Sequence, residues 1–88
     1  MRHREVAQTI IDAEKDVMGQ VAVMKASNLE FVEDSGKVTQ EIGKEQVAEL
    51  LDTFKELQGQ GAIGIARRGF EDGELEEEDI DLPDSLTA

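Results

Sequence analysis

LEFVEDSGKVTQEI, residues 29–42, is the stretch on which the fold class turns. Leu29, Phe31 and Val32 precede Asp34, Ser35 and Gly36, and Val38 to Ile42 follow. β-branched and aromatic residues on both sides of an Asp/Ser/Gly cluster signal a β-hairpin. Gly36 would supply the positive φ that such a turn requires. Helical patterns flank the stretch, so the predicted fold is α+β: helix, β-hairpin, helix, a Gly-rich element and an acidic C-terminal segment.

Residues 5–26 read as one amphipathic helix. Val6, Ile10, Ala13, Val17, Val21 and Met24 recur at helical spacing and form its predicted apolar face. Gly19 is its weak point, since a glycine inside a helix costs about 1 kcal/mol relative to Ala. Ending the helix there would make VAVMKA (21–26) a strand, but the periodicity favours continuation. The second helix runs from about Lys44, with Val47, Leu50, Leu51, Phe54 and Leu57 on its apolar face. GQGAIGIARRG (59–69) then fits helix and strand equally well.

The two helical segments resemble one another at an offset of 40 residues. Identities fall at Glu5/Glu45, Asp12/Asp52, Lys15/Lys55, Gly19/Gly59, Gln20/Gln60, Ala22/Ala62 and Ala26/Ala66. A duplicated unit too small to bury its own apolar face would give this pattern. The small residues at matched positions would let the two halves approach closely.

Composition bounds the rest. The chain has 88 residues, enough for one domain. Residues 1–70 are predicted to be compact and 71–88 to be a flexible acidic tail, because all nine charged residues after Phe70 are acids. Of the net charge of −12, residues 1–70 contribute only −3, from twelve acids and nine bases. Such a balance disfavours nucleic-acid phosphates as partners. The three Phe are the only aromatics, too few to stack single-stranded bases. Cysteine is absent, which excludes disulfides and thiolate chemistry. No stretch has the length of a signal sequence or a membrane span, so a cytoplasmic location is expected and a membrane partner is not.

No residue set meets the requirements of a catalytic, metal or cofactor site. His3, the only histidine, lies between Arg2 and Arg4 and reads as solvated. Asp72, Glu74 and Glu76 match the first positions of a calcium loop, but Glu77 stands where Gly is needed and Pro83 where Glu is needed. Gly59, Gly61 and Gly64 have the G-x-G-x-x-G spacing, yet they follow a helix where the phosphate-binding fingerprint follows a strand. What remains points to protein contact. Arg67 and Arg68 are the one concentrated basic spot before the tail and could dock an acidic segment. Leu75, Ile80 and Leu82 interrupt the acids of the tail, and the Ile80-Asp81-Leu82 alternation could add as a strand to a partner's sheet edge.

With five lysines, no cysteine and a pI near 4.3, the chain resembles the short acidic proteins of halophilic archaea. The resemblance is one of whole-chain composition and carries no functional residue. The near-neutral body departs from it, since halophilic adaptation spreads acid over the folded surface. The sequence therefore predicts a non-enzymatic interaction or adaptor module, homodimeric because its apolar faces are long for so short a chain. The alternative is a small-ligand or nucleotide-binding module using residues 59–69.

Overall fold

The computed structural model of the chain describes residues 2–71, 74 and 80–87. Its elements are helices: α1 (His3–Met18), α2 (Gln20–Ala26), α3 (Lys44–Gln58), α4 (Gly61–Arg68) and α5 (Asp84–Thr87). The Arg2 N–H donates to Glu5 Oε1 at 3.0 Å and the Gly43 N–H to Gln46 Oε1 at 2.9 Å, so a side chain three residues on secures each long helix at its start.

The predicted α+β class is not what the chain adopts. The described residues contain no sheet. Where a hairpin was expected there is one isolated antiparallel bridge, Val32 with Val38, around a turn in which Gly36 takes φ 86°. The reason lies in the hydrogen bonding. The Val38 N–H donates to Gln8 Oε1 of α1 at 2.9 Å, and Gln8 Nε2 donates to the Gly36 carbonyl at 3.1 Å. A helix side chain thus satisfies backbone groups that a ladder would otherwise take. Phe31, Val32 and Val38 turn into a core made by helices.

The single helix predicted over 5–26 is also corrected. Gly19 breaks it at φ 65°, ψ −141°, after its N–H closes the last turn of α1 on the Lys15 carbonyl at 2.7 Å. Gly59 does the same at φ 69°, ψ −155°, its N–H on the Lys55 carbonyl at 2.6 Å. Both glycines occupy backbone that only glycine adopts readily. The stretches that were open between helix and strand, 21–26 and 61–67, are both helical.

The core follows the same two-part plan. Ile10 and Ile11 of α1 are buried, and so are their counterparts Leu50 and Leu51 of α3. Ala22 and Ala26 of α2, with Ala62 and Ala66 of α4, are at most 1% exposed, and methyl side chains let these short helices pack close. α1 packs most extensively against α4. There the backbones are so near that a Cβ on Gly69 would stand 3.0 Å from Thr9 Cγ2 and 3.1 Å from Ala13 Cβ.

The core also extends past residue 70. Leu82 and Leu86 are buried in it, and α5 lies against α4. His3 Nε2 donates to the Asp81 carbonyl at 2.6 Å, and Lys44 Nζ stands 3.3 Å from Asp81 Oδ1, so the returning segment is tied to the starts of α1 and α3.

Candidate interaction face

The break at Gly19 decides what the surface offers. α2 buries Ala22, Val23 and Ala26, which turns the far half of the predicted apolar face outward. Val6 and Ile10 are fully buried as expected, but Val17, Val21 and Met24 are 58%, 48% and 66% exposed. Three large apolar side chains thus stand in water on either side of the α1–α2 junction.

The α3–α4 junction lies beside it. Val17, Met18 and Val21 from the first half and Leu57 and Gln58 from the second line one shallow depression of about 330 Å³. Val17 also borders a second depression, of about 400 Å³, with Ile65, Arg68, Asp12 and Asp16. Val17 thereby adjoins Ile65 of α4, with Asp12, Asp16 and Arg68 at the margin.

Charge singles out the same surface. The chain holds 21 acids, yet residues 17–29 and 57–70, which make up the two junctions and the helices after them, hold none. Their only charged side chains are Lys25, Arg67 and Arg68. The repeat adds a difference in shape. Where the first half carries Val21 and Met24, the second carries Gly61 and Gly64, and a Cβ built on either glycine would meet nothing within 4 Å. One half projects side chains, and the other leaves bare helix backbone.

Two other features compete for attention. A cleft of about 600 Å³ is bordered by Glu30, Glu41 and Glu49 with Gln40, Gln46 and Leu29. Arg2 and Arg4 reach Glu41 Oε1 at 3.2 and 3.7 Å, so part of its acidity is already compensated. The second is Glu14, whose side chain is fully buried and whose two carboxyl oxygens have no hydrogen-bond partner. Burial alone raises its pKa from 4.5 to about 7. Glu14 borders none of the depressions described above, so its burial bears on stability, as a cost to the charged form.

The residues singled out in the sequence are dispersed. Arg67 and Arg68 are exposed in the last turn of α4, beside the apolar face. Leu82 is inside the core and Ile80 packs against it, so both side chains are engaged within the chain. Leu75, Asp72, Glu76 and Glu77 lie outside the described residues. Gly59, Gly61 and Gly64 belong to a helix break and a helix that follow α3, without the preceding strand of a dinucleotide site. His3 is engaged with the Asp81 carbonyl, where the sequence had placed it in solvent. Among the described residues, no helix is long and apolar enough to cross a membrane.

Compared with known protein families, curated proteins and solved structures, the chain matches none. The site therefore stands on its own geometry. Val17, Val21 and Met24 escaped the sequence reading because their spacing continues that of Val6 and Ile10. The missing acids in 17–29 and 57–70 were the available signal.

Proposed function

We propose that this chain is a non-enzymatic protein-interaction module of the cytoplasm. Its contact face is the Val17–Val21–Met24 ridge together with the adjoining surface of α4. The observation that carries the reading is the coincidence of the exposed apolar side chains Val17, Val21 and Met24 with the acid-free segment 17–29. Large apolar residues grouped on a small surface mark places where water is displaced by a partner. Within 17–29 no carboxylate has to be desolvated on docking, and Asp12 and Asp16 stand at the margin of the face. Arg68 sits at the rim, where a charge can orient a partner without being buried. The body's net charge of −3 and the acids after Phe70 work against nucleic acid as the partner.

The test is affinity co-purification from the host lysate, comparing the wild-type chain with a Val21→Asp, Met24→Asp double variant. Both positions are exposed, so the fold is expected to persist, which circular dichroism checks. Loss of the co-purifying protein with the variant supports the reading. The same proteins captured equally by both chains overturn it.

A further inference from the structure

We propose that the depression between α1, α2 and the turn at Gly36 binds a small zwitterion, an apolar α-amino acid. Lys15 and Lys37 hold its carboxylate and Asp12 its ammonium group. The site shares only Asp12 with the margin of the interaction face and does not depend on that reading.

The walls of this depression, about 260 Å³ in volume, are fixed against one another. Gln8 ties the turn to α1, donating from Nε2 to the Gly36 carbonyl at 3.1 Å and accepting from the Val38 N–H at 2.9 Å. On the other side the turn lies so close to α2 that a Cβ on Gly36 would stand 3.3 Å from Val23 Cγ1. A site held in place before its ligand arrives loses less freedom on binding.

Charge of both signs borders the depression. Lys15 comes from α1 and Lys37 from the turn, so two of the chain's five lysines meet at one small concavity. Neither forms an ion pair among the described residues, although the chain holds 21 acids. Asp12 stands on the same border, where its Oδ1 accepts from Gln8 Nε2 at 3.2 Å, which leaves Oδ2 to a ligand. Ser35 adds a hydroxyl that can donate to a carboxylate.

This donor set selects the class of ligand. A simple anion would be repelled by the chain's charge of −12, and a simple cation would meet the two lysines. A molecule that carries both charges and no net charge avoids both penalties. Ile11 and Val23 border the depression too, and offer its occupant an apolar contact with no hydrogen-bonding group. The volume falls just below the roughly 300–1,000 Å³ of sites for drug-sized molecules, which suits a single amino acid.

Titration of the ¹⁵N-labelled full chain with L-valine, followed by NMR, tests the proposal. Saturable shifts are expected at the amides of Lys15, Val23, Ser35, Gly36 and Lys37. Isovalerate, which lacks the ammonium group, and isobutylamine, which lacks the carboxylate, should each bind at least about tenfold more weakly. Lys37→Gln and Asp12→Asn should weaken L-valine binding by a similar factor. Both positions are exposed, and unchanged circular dichroism checks that the fold persists.

The absence of saturable shifts up to about 10 mM L-valine overturns the proposal. So do shifts centred on another part of the surface, or binding indifferent to both substitutions. Isovalerate binding as tightly as L-valine would overturn the zwitterion in favour of a plain anion.

Discussion

Glu14 and Phe54 hold the same position in the two halves of the chain, and both side chains are fully buried. One half fills that position with an aromatic ring and the other with a carboxyl group that has no hydrogen-bond partner. Burying a carboxylate in this way is unfavourable, so the folded state favours the protonated form.

Stability is therefore expected to fall as the pH rises. Below 4.5 the Glu14 carboxyl is protonated in the folded and unfolded chain alike, and folding carries no penalty from it. Between 4.5 and about 7 the unfolded chain ionises first, so each pH step favours unfolding; above about 7 the loss levels off. The pKa shift corresponds to about 3 kcal/mol in total. Urea melts at pH 5 and pH 8 measure it. Glu14→Leu should be markedly more stable than wild type at pH 8, with a smaller advantage at pH 5. Equal pH dependence in both proteins would refute the assignment to Glu14.

The glycines should respond to substitution with opposite signs. Gly19→Ala places a side chain at φ 65°, ψ −141° and should destabilise by about 1–3 kcal/mol. Gly64→Ala adds a methyl group to open space in a helix and should stabilise a monomer by about 0.5–1 kcal/mol. Thermal unfolding at dilute concentration separates the two.

Gln8 is expected to hold the 29–42 segment in place. Gln8→Ala removes both hydrogen bonds to Gly36 and Val38 and should cost about 1–3 kcal/mol, leaving the part-buried Val38 N–H without its acceptor. Hydrogen exchange should speed up at Val38 ahead of the α3 core. Uniform acceleration throughout would mean that the loop and core open together.

Leu86 is fully exposed to mutational loss because it is fully buried. Leu86→Ala should cost about 2–5 kcal/mol by denaturant melt. A chain ending at Phe70 loses Leu82 as well and is expected to melt without a sharp transition, which makes that truncation unsuitable for mapping partners.

The helices and most of the core were legible because period and burial agree within one helix. Val6, Ile10, Leu50 and Phe54 need only their own helical register to be placed. The hairpin at 29–42 was misread for a reason of another kind. Its β-branched pattern is real, but strand pairing needs a partner ladder, and Gln8 from a distant part of the sequence supplies the hydrogen bonds in its stead. Val17, Val21 and Met24 were placed inside because periodicity runs straight through Gly19, while the backbone does not.

The sequence by itself determined the two long amphipathic helices, the 40-residue repeat with its matched small residues and the uneven placement of charge, all of them local or compositional properties. Only the tertiary structure decided which side of α2 faces the core, that Leu82 and Leu86 return to it, and that the two acid-free junctions lie side by side. The physical reason is that a break at φ 65° changes the direction of every later side chain. Which of those directions is buried depends on the packing of all the helices at once.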